Sequence, residues 1–360
     1  LLINTKNLTI PDEPKIRASL NIIQGNKLNE LSNASIFHNI KIEVRGNTSQ
    51  SFAKQSYSFN LYDSSFVKVS ASLLGLPASR KWVLQGPYVD KSLIRNSLTY
   101  NLYRQMGNYA PKTQFIELVI NNNYRGIYVL TEKIQVGKNH LNIPKLKQNK
   151  ADHTKQSGGY LLEIDRSEWR SNYPPKNDTS ANPIAYCVYS PKPKKINTAL
   201  EQRIKSQFNL FEQNLYNETN IFNYLDINSF VDYLIITELT KNTDGYCLST
   251  FLYNKNINNP IPKFYIGPIW DYNFTFGLAD YRDSFNPEGF VYNSTKYIPF
   301  WWKKLLENEA FKSTLTSRYS ELRSTSLSNS NINNTIDSLV LICEKPAVLN
   351  FTKWNILGGS

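Results

Sequence analysis

The sequence is poor in the residues that build metal and disulfide frameworks, with three cysteines and three histidines in 360 residues. Cys187, Cys247 and Cys343 form no C-x-x-C pair and no Cys/His spacing, which excludes a zinc finger, a zinc ribbon or a thioredoxin-type redox motif. An odd and small count in so long a chain excludes a disulfide-dense scaffold as well. No run of about 18 apolar residues occurs, so no transmembrane helix is expected. Neither G-x-G-x-x-G nor G-x-x-x-x-G-K-[ST] is found, so the chain has neither an ordinary kinase glycine loop nor a P-loop. There is no internal repeat.

Aromatic and basic residues are plentiful. The 23 Tyr, 18 Phe and 6 Trp can bury a sizeable core. A formal net charge of +12 favours anionic partners. The basic residues are scattered, apart from the group Lys192, Lys194 and Lys195, which reads as a solvated basic surface. A nucleic-acid partner is therefore not expected.

The first third has the alternation of half-buried strands. Ile40, Ile42 and Val44 alternate with polar residues, as do Tyr57, Phe59 and Leu61, with a polar turn containing Gly46 between them. Residues 90–106 change to helical spacing, closed by Gly107. Two more strands, 115–120 and 126–134, flank an Asn turn, and 158–165 has strand character. Residues 166–196 are polar and proline-rich and read as a surface excursion. After this, helices at about 229–239, 301–322 and 334–349 are expected, the first apolar on nearly every side and hence buried.

Two aspartates stand out by context. Asp244 follows the buried helix in Lys241-Asn242-Thr243-Asp244-Gly245, and Asp271 lies in Trp270-Asp271-Tyr272-Asn273. Between them, 248–253 and 263–266 read as a hairpin that brings both carboxylates to one edge. Helix, aspartate, hairpin and second aspartate is an order used by protein kinases, where the first carboxylate accepts the hydroxyl proton and the second holds Mg²⁺. Taken singly, each aspartate is equally ordinary turn chemistry. Gly46 permits close backbone approach to phosphate, and Lys54 follows on the return strand, although a lone lysine more often solvates a surface.

The words around these residues resemble the CotH kinase family. Arg45-Gly46-Asn47-Thr48-Ser49 followed by Lys54-Gln55-Ser56-Tyr57 carries the resemblance. So do Lys81-Trp82-Val83-Leu84, Asp90 with Leu93 to Asn96, Tyr124-Arg125-Gly126-Ile127-Tyr128, Gly158 to Glu163, Asn242-Thr243-Asp244, Trp270-Asp271 and Trp301-Trp302. These matches run in order from about residue 10 to 358.

The resemblance implies an α+β, atypical protein kinase-like two-lobed fold. It consists of one domain over 1–360, with a sheet-rich N-lobe to about 135, a mostly helical C-lobe from about 136, and a nucleotide cleft between them. It implies ATP with Mg²⁺ or Mn²⁺, a protein acceptor phosphorylated on Ser or Thr, and an exported, surface or spore-coat location rather than a cytoplasmic one. Asp244 would be the catalytic aspartate and Lys54 the phosphate lysine, with Arg45 and Gly46 in the nucleotide loop. Glu132 and Ile134 would face adenine, and Asp271 with Ser249 would hold the metal. One of Asp90, Arg95 and Asn96 would stand beside Lys54. Two positions depart from the pattern. Ser249 replaces the Asn five residues after the catalytic Asp, and Asn273 replaces a second Asp after Trp270. Both departures leave open a non-catalytic surface or coat protein of the same fold.

Overall fold

The computed structural model describes residues 1–23, 36–148 and 156–358. The chain divides into two compact units. The first comprises residues 1–98, 111–133 and 334–360, and the second comprises 99–110 and 134–333.

The first unit is built on β1 (Leu2–Asn4), β2 (Ile16–Ile22), β3 (Ile36–Arg45), β4 (Ser56–Tyr62), β5 (Lys81–Gln85), β6 (Thr113–Ile120) and β7 (Asn123–Glu132). Their order is β1-β2-β3-β4-β5-β7-β6, and a parallel pairing of β6 with β1 closes the barrel. The expected hairpin at 40–61 is present, with Ile40, Ile42 and Val44 opposite Leu61, Phe59 and Tyr57. Their alternation sends these side chains inward, where they meet Trp82 and Leu118 in a dry core. The barrel axis is thus packed with side chains.

The helix expected from Asp90 starts later, as α1 (Arg95–Gln105). The Asp90 carboxylate accepts from the backbone N–H groups of Ser92 (3.1 Å) and Arg95 (3.0 Å), closing a turn in which Leu93 has φ +67°. That turn precedes the first helical residue.

The second unit contains a two-stranded ribbon, β8 (Lys147–Gln148) with β9 (Gln156–Ser157). It also contains a four-stranded sheet formed by β10 (Tyr160–Arg170), β11 (Ala185–Ser190), β12 (Thr250–Asn254) and β13 (Phe264–Ile266), in the order β11-β10-β12-β13. The proline-rich segment 166–196 therefore supplies the far end of β10 and all of β11. Around this sheet are α2 (Thr198–Tyr216), α3 (Ile221–Tyr224), α4 (Ile227–Thr240), α5 (Trp301–Glu307) and α6 (Glu309–Ser324). α7 (Asn329–Lys353) follows, most of it in the first unit. Asp226 caps α4 through the Ser229 N–H, and Asn308 interrupts the expected long helix by capping α6 through the Phe311 N–H.

These observations overturn the two-lobed kinase arrangement with its mostly helical second lobe, while the expected sheet-rich domain is present. The first unit is a closed barrel, because the three residues of β1 pair with both β2 and β6 and leave no edge. The second unit has a sheet of its own, because β10 bridges the hairpin β12–β13 to β11. Among the described residues, no helix is long and apolar enough to cross a membrane.

Candidate functional site

In the barrel unit, Lys54 lies just before β4 and is 1% exposed. Its Nζ donates to Asn350 Oδ1 of α7 at 2.7 Å and sits 5.2 Å from the centre of the Tyr128 ring. Burial lowers its pKa to about 7. None of the residues expected beside it takes that place. Asp90 is engaged by Ser92 and Arg95, and Asn96 donates to Gln85 Oε1. The partner comes instead from nearly 300 residues away in sequence, a pairing for which the sequence carries no local signal.

Asn350 is held from two sides. Its Oδ1 also accepts from the Ile127 N–H at 3.1 Å, so the amide orientation is fixed with Nδ2 as donor. Gly126, at φ +86°, is the residue that lets α7 approach β7 so closely. A Cβ there would stand 2.4 Å from Asn350 Oδ1 and 3.2 Å from Trp354 Nε1. Trp354 Nε1 donates to the Arg125 carbonyl at 2.8 Å, which ties the last turn of α7 to the same strand.

Arg45 ends β3, paired with Ser56. Gly46 turns the chain at φ +106°, and its carbonyl accepts from Gln50 Nε2 at 2.7 Å. The residues after it form a short 3-10 turn, Thr48–Ser51. Glu132 is buried at the end of β7, opposite Trp82 of β5. Ile134 belongs to the second unit, is 3% exposed, and accepts from the Tyr189 hydroxyl at 3.1 Å through its carbonyl.

In the second unit, Asp244 lies in the turn after α4. The helix stops because Lys241 adopts φ +53° and the Asn242 N–H returns to the Thr237 carbonyl at 3.1 Å. The Gly245 carbonyl then accepts from both the Tyr233 hydroxyl and Thr250 Oγ1, fastening the turn to α4 and β12. The Asp244 carboxylate is half-buried and occupied on both oxygens. Oδ1 pairs with Arg282 Nη1 at 3.1 Å and Oδ2 accepts from the Tyr281 hydroxyl at 2.5 Å. Burial, together with the bond to Asp244, raises the Tyr281 pKa well above the usual phenol range. The loop bearing this pair is anchored nearby, with the half-buried Glu238 carboxylate accepting from the N–H groups of Val291 (2.7 Å) and Tyr292 (2.8 Å). Sequence reasoning missed Tyr281 and Arg282, which lie outside every motif it used.

Asp271 is exposed and adopts φ +65°. Its neighbours Trp270 and Tyr272 are 7% and 0% exposed. Trp270 stacks on Tyr100, the Tyr272 hydroxyl meets Thr237 Oγ1 at 2.9 Å, and the Asp271 N–H donates to the Tyr100 hydroxyl at 3.1 Å. Both neighbours are thus pinned inward, while Asp271 itself is exposed on a left-handed backbone. Asn273 Oδ1, two residues on, is buried without a hydrogen-bond partner. Ser249, at φ +50°, ends the loop that leads into β12. Among the described residues, no three His, Cys, Asp or Glu side chains gather as a metal cluster. Carboxylate, amide-oxygen and hydroxyl groups are, as a class, the hard donors that Mg²⁺ and Mn²⁺ prefer.

The family model described as CotH kinase protein matches residues 42–360. The chain belongs to the CotH kinase protein family. That match takes in Arg45, Lys54, Glu132, Asp244 and Asp271. The inner spore coat protein H of Bacillus subtilis (strain 168) is similar, at 22% identity over 246 residues. The similarity covers 66% of this chain and 59% of that protein, which is less than two thirds of its length.

Proposed function

We propose that this CotH-family chain is an ATP-dependent protein kinase that phosphorylates Ser or Thr hydroxyls on coat or surface proteins. The observation that carries the reading is the hydroxyl already seated on Asp244, where the Tyr281 phenol donates to Oδ2 at 2.5 Å. A carboxylate that accepts a hydroxyl at this distance has the geometry required of a general base towards an acceptor alcohol. In this reading Asp244 orients the alcohol and takes its proton. Arg282 aims the carboxylate through its ion pair, and Lys54, with Arg45 and the Gly46 turn, receives phosphate. Glu132 and Ile134 contact the base. Asp271, Ser249 and Asn273 Oδ1 would hold Mg²⁺ or Mn²⁺, which when bound would neutralise phosphate charge. The family name supports a kinase reading, and the spore-coat relative supports a coat location.

Incubation with labelled ATP, Mg²⁺ or Mn²⁺ and acidic and basic protein acceptors tests the reading. Label transfer by wild type and its loss in Asp244→Asn support it, whereas transfer by neither sinks it. One observation favours a second reading, a non-catalytic coat or adhesion protein. Both Asp244 oxygens are already engaged within the chain, as they would be in a purely structural turn. Nucleotide binding without transfer to any acceptor would favour that alternative.

A further inference from the structure

Around Lys54, the barrel unit collects hydrogen-bond donors and, among the described residues, pairs Lys54 with no anion. Asn350 is 0% exposed, its Oδ1 is taken by Lys54 and Ile127, and its Nδ2 is buried with no partner. Arg125 is half-buried, but its Nε is buried without a partner, while the guanidinium hydrogen-bonds the Tyr57 and Tyr128 hydroxyls. Tyr128 links the two cations, since Lys54 Nζ lies over its ring. Among the described residues, neither Lys54 nor Arg125 forms a salt bridge. An unsatisfied buried donor is destabilising, by roughly 1–3 kcal/mol each, and a buried ammonium without a counter-ion more so. Two unpartnered buried donors beside a buried ammonium are poor design for a structural core and suit an anion.

We propose that Lys54, the Asn350 amide and Arg125 form a buried oxyanion subsite, with Asn350 Nδ2 as a direct ligand and phosphate oxygens as its occupant. The inference rests on the reading that Lys54 meets the phosphates of a nucleotide, and it adds two ligands to that role. Asn350 aims Nζ through Oδ1 and presents Nδ2 one amide away, so a single side chain positions the cation and contributes a second donor. A carboxylate at this position would instead neutralise Lys54 and compete with the anion.

Other titratable groups facing the subsite are the Tyr57 and Tyr128 phenols. Along α7, Cys343 senses Asp90, which is itself paired with Arg95. With no acid against it, Lys54 titrates near neutrality, so binding of an anion above that pH draws a proton onto Nζ.

The test is calorimetry at pH 8, in two buffers of different ionisation enthalpy, with ATP–Mg²⁺ and with inorganic triphosphate. Wild type is expected to bind both and to take up a proton on binding. Asn350→Asp keeps the size of the side chain and supplies Lys54 with a counter-ion. Binding of both ligands should weaken at least tenfold, and the proton uptake should disappear. Arg125→Gln should also weaken both, and it serves if Asn350→Asp melts below the assay temperature. ATP binding unchanged in both variants overturns the subsite while leaving the kinase reading intact. Wild type that binds neither polyphosphate overturns the two together. Binding of triphosphate but not ATP keeps the subsite and removes the nucleotide as its occupant.

Discussion

The Tyr281 hydroxyl stands 2.5 Å from Oδ2 of Asp244, in the place that an acceptor alcohol must take if Asp244 is the base. The phenol therefore competes with substrate for the same oxygen. Tyr281→Phe removes the competing hydrogen bond and leaves the ring and Arg282 in place. A neutral hydrogen bond contributes about 1 kcal/mol, which is roughly a fivefold effect. The KM for protein acceptor should fall by about that factor while ATP affinity stays constant. Steady-state kinetics with both substrates varied checks this, and an unchanged acceptor KM would show that the phenol does not occupy the acceptor position.

Asp244→Asn separates chemistry from binding. The amide keeps the shape of the turn and loses the charge that accepts the proton. Transfer should drop by about 10²–10⁴, with ATP–Mg²⁺ affinity within a few-fold of wild type. Persistence at the wild-type rate means that another group is the base.

Asp271→Asn removes the exposed carboxylate with a residue that tolerates the left-handed backbone at φ +65°. Because the residue is exposed, the melting temperature should stay within about 2 °C. Metal-dependent ATP binding should be lost. Equal nucleotide affinity in the presence and absence of the substitution places the cation elsewhere.

Lys54→Met should make the protein more stable and less able to bind nucleotide. The native pKa is about 7 against a reference of 10.5, so the unfolded chain binds more protons between these values. Stability from this group therefore rises with pH from about 7 to 10.5, and the penalty is fully present below pH 7. Methionine removes the penalty, with an expected gain of about 1–3 kcal/mol at pH 7 that shrinks towards pH 10. Denaturant titrations across that range measure it. A variant less stable than wild type at pH 7 would mean that Lys54 is held by a counter-charge.

Gly126→Ala tests the approach of α7 to β7. The new methyl meets Asn350 Oδ1 at 2.4 Å on a left-handed backbone, which predicts a loss of about 1–3 kcal/mol by chemical denaturation. No loss would show that the helix end can move away from the strand.

Much of the local structure is legible in the residues themselves. The alternation of Ile40, Ile42 and Val44 with polar neighbours produces β3 because a two-residue period leaves one face to bury. The apolar run after Asp226 produces the buried α4. Asp244 could be singled out because it follows the buried helix, and Asp271 because it lies beyond the hairpin in Trp270-Asp271-Tyr272-Asn273. Closure of the barrel was not legible, because β1 is three residues long and has no periodicity of its own. The extent of β10 and β11 was masked by prolines that sit beside strands.

The sequence by itself determined which short segments are strands or helices, and which lysine and carboxylates are candidates for chemistry. Periodicity, caps and turn residues act over a few neighbours, and those are all in one stretch of chain. Tertiary structure alone decided that Lys54 meets Asn350 and that Asp244 meets Tyr281 and Arg282. Those partners are brought together by long-range packing, with Gly126 admitting α7 to the barrel wall and Glu238 anchoring the loop beyond Arg282. No local pattern encodes such contacts, because their energy comes from burial against distant parts of the chain.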